Sequence, residues 1–242
     1  MKNVPQKPDH ASRRDFLKGA ATLAPLAALP GTPAASAPSP IAPPPATPAT
    51  NDYRPTFFTP AEWAFINAAC ARLIPEDGNG PGAVELGVPQ YIDRQMGTPW
   101  AEGALWYMQG PFIESKPEMG YQSALTPKQQ YRLGIKAIDA AVQAAGGKSF
   151  AALPPNEQDS WLTRIEKGEV TSPDLSLKTF FAGFLLKNTM EGFFGDPLYG
   201  GNKDMAAWKM IGHPGARADY LEFVAEAKPY PYGPVSLHGK RG

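Results

Sequence analysis

One cysteine and three histidines in 242 residues leave very little for redox or metal chemistry. Cys70 alone cannot form an internal disulfide, a Cys-x-x-Cys redox pair or a Cys-x-x-Cys-His haem attachment site. His10, His213 and His238 are too few and too scattered to suggest a transition-metal site. Charge of either sign is not in excess, since Lys+Arg and Asp+Glu both number 23, which argues against an electrostatically driven nucleic-acid binder. The signatures G-x-G-x-x-G after a strand, G-x-x-x-x-G-K-[ST] and H-E-x-x-H do not occur. No apolar run reaches the roughly 20 residues that span a bilayer, the Ala-rich stretch Gly19 to Leu29 being too short. Alternating strand patterns of useful length are missing too. What remains is 43% apolar residues in a chain long enough to bury a sizeable core.

The N-terminus is where the chain is most specific. Ser12-Arg13-Arg14-Asp15-Phe16-Leu17-Lys18 is followed by the weakly hydrophobic run and then by Ala35-Ser36-Ala37. This is a twin-arginine export signal, with Ala35 and Ala37 as the small residues of an A-x-A cleavage site. Residues 1–37 hold five cations (Lys2, Lys7, Arg13, Arg14, Lys18) and two anions (Asp9, Asp15), so their removal from 23 of each sign leaves 18 cations against 21 anions. The mature chain is mildly acidic. Six of the thirteen residues Pro38 to Thr50 are proline and none is charged, which predicts an extended polyproline-type tether through about residue 55.

Helix signals begin at Thr59-Pro60-Ala61-Glu62, a capping box with proline at the first helical position. Trp63, Ile66, Cys70 and Leu73 follow as one apolar stripe ending before Pro75. On that face Cys70 is expected to be a buried thiol. Glu76-Asp77-Gly78-Asn79-Gly80 lacks the remaining positions of a calcium loop and reads as a solvated turn. Val88 to Met96 predicts a short helix, and Trp100 to Tyr121, rich in aromatics and glycine, predicts irregular chain. Thr126-Pro127-Lys128-Gln129 opens a second capped helix with the face Tyr131, Ile135, Ile138 and Val142, stopped by Gly146-Gly147. Phe150 to Leu153 precedes a helix Pro155 to Lys167 with Trp161, Leu162 and Ile165 inward, ended by Gly168. Asp174 to Phe194 carries Leu175, Leu177, Phe180, Phe181, Phe184, Leu185, Met190 and Phe193 and predicts a buried central helix. The expected fold is mainly α: a compact helical domain over 56–225 with long irregular Gly/Pro/aromatic-rich loops, a disordered signal and linker before it, and a C-terminal tail over 226–242.

Candidate catalytic groups have simpler readings. His213, in Gly212-His213-Pro214-Gly215, is a turn residue, with a general base as the alternative because histidine titrates near neutrality. His238 belongs to a tail expected to fray, and His10 to the signal. Glu191 and Asp196 straddle a helix end, where Asp196 before Pro197 makes a turn. The segment Glu191-Gly192-Phe193-Phe194-Gly195-Asp196-Pro197-Leu198-Tyr199-Gly200-Gly201-Asn202 is glycine-rich and set with aromatics. Together with Trp208 and His213, its Phe193, Phe194 and Tyr199 have the composition of an interface hot spot, or of close intramolecular packing.

That segment, with Ile74-Pro75, Gly87 to Asp93 and Leu125-Thr126-Pro127, resembles the small subunit (subunit 3) of membrane-associated gluconate 2-dehydrogenase, over roughly Phe57 to Tyr220. Related small subunits accompany glucose, fructose and sorbitol dehydrogenases of the periplasm. The resemblance implies a noncatalytic chain without its own cofactor, beside a large subunit that carries FAD and a multihaem cytochrome c subunit that carries haem c. It implies an escort in folding and export of the flavoprotein through the twin-arginine translocase. An export signal suited to folded cofactor proteins, on a chain with no cofactor motif, fits a signal that serves a partner. Two readings of other classes are a free-standing periplasmic sugar-binding module stacking sugars on Trp100, Trp106 and Tyr107, and a self-sufficient hydrolase using His213.

Overall fold

The computed structural model describes residues 53–113, 117–217, 221–226, 228 and 230–242. The chain divides into units Met1–Ala42 and Pro43–Gly242. The residues expected to form the export signal, Ser12, Arg13, Arg14, Phe16, Leu17 and Lys18, those of the expected cleavage site, Ala35 and Ala37, and the expected proline-rich tether as far as residue 52 lie outside the described residues.

Helix α1, Pro60–Leu73, starts as its sequence predicts: Glu62 N donates to Thr59 Oγ1 at 3.3 Å and Thr59 N to Glu62 Oε2 at 2.8 Å. Two otherwise orphaned N–H groups are thereby satisfied by one reciprocal pair of side chains. The buried face is Phe65, Ile66, Ala69 and Cys70. The expected stripe is thus rotated toward Phe65, whose ring lies 4.9 Å from that of Phe150, while Trp63 and Leu73 are only half-buried. Helix α2, Val88–Gln95, leaves Gly87, whose φ of 76° suits glycine. Helix α3, Pro127–Ala144, buries the expected Tyr131, Ile135, Ile138 and Val142 below a second capping box. Gly134 adds a close approach that periodicity does not show, since a Cβ there would sit 2.6 Å from the Phe180 ring. Helix α4, Pro155–Lys167, ends at Gly168 in the left-handed region and buries Trp161, Leu162 and Ile165.

The central rod begins at Leu177, not Asp174, because the Ser176 hydroxyl caps it by accepting from Thr179 N at 3.2 Å. It runs through α5, Leu177–Phe180, a π-helical stretch Phe181–Leu186, and α6, Lys187–Phe194. The reason for the wider turns lies in the buried pairs Phe180/Phe181, Phe184/Leu185, Asn188/Thr189 and Gly192/Phe193. They repeat every four residues, and a 3.6-residue turn carries such a stripe off its face by roughly 40° per repeat. The π stretch winds the stripe back toward the core. Met190 falls outside it and is exposed, which corrects its expected place in the core. Short helices α7, Ala206–Ile211, and α8, Leu221–Ala225, complete the order.

Between α2 and α3 the described residues are irregular apart from one 3-10 turn, Pro117–Met119, as composition predicts. Trp100, Trp106 and Tyr121 hold it down, with ring centroids 6.5, 6.4 and 5.6 Å from Phe184 of the rod. No strand forms among the described residues, where pairing is confined to isolated bridges. None of the described helices is long and apolar enough to cross a membrane.

The C-terminal tail departs from expectation. Val235 N donates to Pro214 O at 3.1 Å, Ala216 N to Val235 O at 2.7 Å, and Gly242 N to Pro234 O at 2.8 Å. Residues 234–242 therefore fold back on the Gly212–Gly215 turn, and His238 stands in a tied segment rather than a frayed one. Gly215 permits the contact, because a Cβ there would lie 2.2 Å from Val235 O.

Candidate partner interface

The two most distinctive sequence segments, Gly87 to Asp93 and Glu191 to Gly215, are packed against each other. A Cβ on Gly192 would meet the Tyr91 ring at 2.7 Å, one on Gly87 would meet Gly200 O at 3.1 Å, and one on Gly201 would lie 2.0 Å from Gly192 O. The glycines thus bring the 195–202 loop onto α2 and α6 of the same chain. Asn202, fully buried with φ of 45°, fastens the loop: its Nδ2 donates to Gly195 O at 2.9 Å and its Oδ1 accepts from Ala207 N at 3.0 Å. Lys203 N donates to Leu86 O at 3.1 Å, closing the loop onto the entry to α2. Asp204 and Met205 also have φ of 56°. The approach to α7 is therefore a strained turn of three non-glycine residues.

This packing sorts the five expected interface residues into two groups. Phe193 is 1% and Trp208 6% exposed, whereas Phe194 is 41% and Tyr199 49% exposed and His213 is on the surface. Phe193 and Trp208 are therefore corrected to core residues, because the glycine loop folds inward on them. The Trp208 indole donates to Phe194 O at 2.6 Å, and the His213 ring centroid lies 5.1 Å from that of Trp208. His213 N donates to Trp208 O at 2.8 Å, which makes His213 the turn residue that closes α7. Composition alone does not single out Met190, Met210 and Ile211, which are exposed on the same α6–α7 elements as Phe194. Met190 and Phe194 stand one helical turn apart on one face of α6. Thioether, aromatic and aliphatic groups are thus exposed on α6 and α7, which are joined by a loop that Asn202 fastens.

A polar network links α3 to α6. Tyr131 Oη donates to Asn188 Oδ1 at 2.9 Å, and Asn188 Nδ2 to Glu191 Oε2 at 2.7 Å. Burial and the neighbouring Glu191 carboxylate push the Tyr91 phenol well above its ordinary pKa, so it stays protonated as a donor. Asp196 is engaged separately, accepting from Leu198 N at 2.9 Å and from Leu237 N at 2.7 Å. Glu191 and Asp196 are both structural, the second holding both a turn and the tail.

Asp93 is the residue that periodicity misses. Its side chain is fully buried and accepts five hydrogen bonds: Tyr53 Oη at 2.7 Å, Thr56 N at 2.7 Å, Thr56 Oγ1 at 3.0 Å, Phe57 N at 3.0 Å and Phe58 N at 3.1 Å. Burial pushes its pKa up, but these donors outweigh burial and hold it below the ordinary carboxylate value. The available signal is an acidic residue in the last turns of α2, where the helix dipole disfavours it and another partner has to compensate.

The remaining candidates resolve into structure. Asp77 accepts from Asn79 N at 2.8 Å and Asn79 Nδ2 at 3.1 Å, an Asx turn. Among the described residues no three His, Cys, Asp or Glu converge as a metal site. Trp100 and Trp106 are half-buried against each other, and Tyr107 is exposed beside a groove of about 430 Å³. Cys70 is fully buried, and burial pushes its thiol up to about 12 against the opposing Thr189 hydroxyl at 3.7 Å. Such a thiol is inert in the folded chain. At pH 8 a maleimide should label the native chain only as fast as it unfolds, and urea should expose the thiol at once. Rapid labelling of native protein would contradict the buried placement.

No match was found among curated proteins, and none among solved structures. The family profile described as gluconate 2-dehydrogenase subunit 3 matches residues 60–215, from the first residue of α1 to the glycine that receives the tail. The match takes in both mutually packed segments, and by it the chain belongs to the gluconate 2-dehydrogenase subunit 3 family.

Proposed function

We propose that this chain is a noncatalytic escort subunit. It assembles with an FAD-bearing large subunit and a multihaem cytochrome c subunit, and its twin-arginine signal carries the folded flavoprotein to the periplasm, where the complex sits at the membrane. Gluconate is the expected substrate of the large subunit. The observation that supports this reading is the exposure of the large apolar side chains Met190, Phe194, Tyr199, Met210 and Ile211, all within the span 60–215 that matches a family of dehydrogenase subunits. A subunit binds through such groups, since aromatic and methionine side chains give large contact area. The groups that look reactive in the sequence are otherwise occupied: Cys70 is buried and protonated, Glu191 and Asp196 hold backbone and side-chain donors, and His213 closes a helix.

Co-expression with the large subunit tests the proposal. Changing Arg13 and Arg14 together to lysine should lower periplasmic dehydrogenase activity at least tenfold and leave the flavoprotein in the cytoplasm. Undiminished periplasmic activity with that variant, or with this chain deleted, would reject the escort role. Turnover of sugar acid by the purified chain alone would reject the noncatalytic one.

A further inference from the structure

Beyond the span 60–215 that the family profile matches, residues 236–240 form a tight turn. Ser236 N donates to Lys240 O at 2.9 Å and Gly239 N to Ser236 O at 2.8 Å, with Gly239 in the left-handed region at a φ of 74°. The chain is fixed on either side of it, where Val235 N donates to Pro214 O at 3.1 Å and Gly242 N to Pro234 O at 2.8 Å. Leu237 N donates to Asp196 Oδ2 at 2.7 Å, while Asp196 Oδ1 accepts from Leu198 N at 2.9 Å. One carboxylate therefore holds Leu237 beside the short turn Pro197–Tyr199. Ser236 is buried, whereas Leu237 is 57% exposed and His238, Gly239 and Lys240 are exposed after it. A single exposed leucine is ordinary. One whose backbone is already tied down, next to the exposed Tyr199, loses little freedom when it is covered, which lowers the cost of binding there.

We infer that the 236–240 turn is a contact for the large subunit, and that the face it meets is an apolar seat for Leu237 bordered by carboxylates. The inference rests on the escort reading above and adds to it an element that the family profile does not cover. Charge supports this choice of occupant. Residues 234–242 carry Lys240 and Arg241 and no acidic residue. Lys209 of α7 comes to the same place, its Cε lying 3.0 Å from where a Cβ on Gly242 would stand. Cations at the edge of a contact orient an acidic partner and speed its approach, while the apolar side chain between them supplies the area that excludes water. Because Asp196 ties the turn to the 195–202 loop, a partner seated on Tyr199 has Leu237 within reach. A contact outside the matched span can also decide which large subunit this chain accepts, since a partner without the carboxylates leaves the cations unanswered.

Co-expression of the full-length chain, carrying an affinity tag, with the large subunit tests it. Leu237→Asp and Lys240→Glu should each lower the amount of large subunit retained about tenfold at an unchanged urea midpoint, and Leu237→Met should retain it. The loss caused by Lys240→Glu should disappear in about 1 M salt, where exposed charges are screened. With p-benzoylphenylalanine in place of Leu237, irradiation should join this chain to the large subunit, and in place of the exposed Glu166 on α4 it should not. That crosslink stands as the readout even where Leu237→Asp lowers the midpoint. If the unaltered chain retains no large subunit, the escort reading fails and this inference with it. If it does retain the large subunit, the inference alone is overturned by equal retention with Leu237→Asp, by equal crosslinking from position 166, or by a crosslink from position 237 that joins only two copies of this chain or reaches only the cytochrome subunit.

Discussion

Replacing Asp93 by alanine is expected to destabilise the folded domain by about 4 kcal/mol, which urea denaturation followed by circular dichroism would report as a large fall in midpoint. The carboxylate gathers three consecutive backbone N–H groups and two hydroxyls from residues 53–58 onto α2. Removing it orphans those donors at about 1–3 kcal/mol for each that stays buried. It also releases the arm that leads into α1. Whole-domain stabilities of about 5–15 kcal/mol make that a loss of much of the total. Asn in its place keeps the volume but brings an amide NH2 against backbone donors, so it should recover little.

The same carboxylate governs part of the acid limb. Its native pKa lies below that of an unfolded aspartate, about 3.9, so its ionised form stabilises the native state above that pH. The contribution is lost as pH falls from there through the native value. Asp139 acts in the opposite sense, because burial, partly offset by the Phe150 N–H, raises its pKa. Stability of the unaltered chain should therefore fall below about pH 4 by more than that of Asp93→Asn. Parallel acid limbs in the two proteins would mean that the five donors do not hold Asp93 ionised.

Gly201→Ala is expected to be as damaging, by about 4 kcal/mol, for a steric reason. Its new methyl carbon would stand 2.0 Å from Gly192 O and 2.8 Å from Gly192 C, and backbone on both sides leaves nothing flexible to yield. The loop has to lift from α6, which breaks both side-chain bonds of Asn202. Retention of a partner subunit in co-purification should fall along with stability. Gly183→Ala is the control: nothing lies within 4 Å of that position. There alanine favours a helix by about 0.5–1 kcal/mol. If the two variants melt alike, the close packing of the 195–202 loop on α6 is wrong.

Local chemistry makes the helices legible. Thr59 and Thr126, each with a glutamate or glutamine three residues on and proline between, announce α1 and α3 to the residue, because capping is decided within one turn of chain. Gly168 marks the end of α4 for the same reason. The central rod is harder to place, since its stripe repeats every four residues and only the insertion of π turns against Tyr131 and Phe180 keeps it facing inward. Met190 is misplaced by a regular 3.6-residue reading for that reason. The tail reads as frayed because its anchor, Asp196, lies some forty residues earlier in the sequence.

The order of residues by itself determined the helical class, the capped starts and glycine stops, and the family to which the span 60–215 belongs. Tertiary structure decided which aromatic residues of those segments face solvent, that the glycines serve contact between α2, α6 and the 195–202 loop, and that Asp93 is a buried anchor. Caps and turns depend on neighbours along the chain, whereas exposure and hydrogen-bond saturation depend on what distant segments bring to the same place.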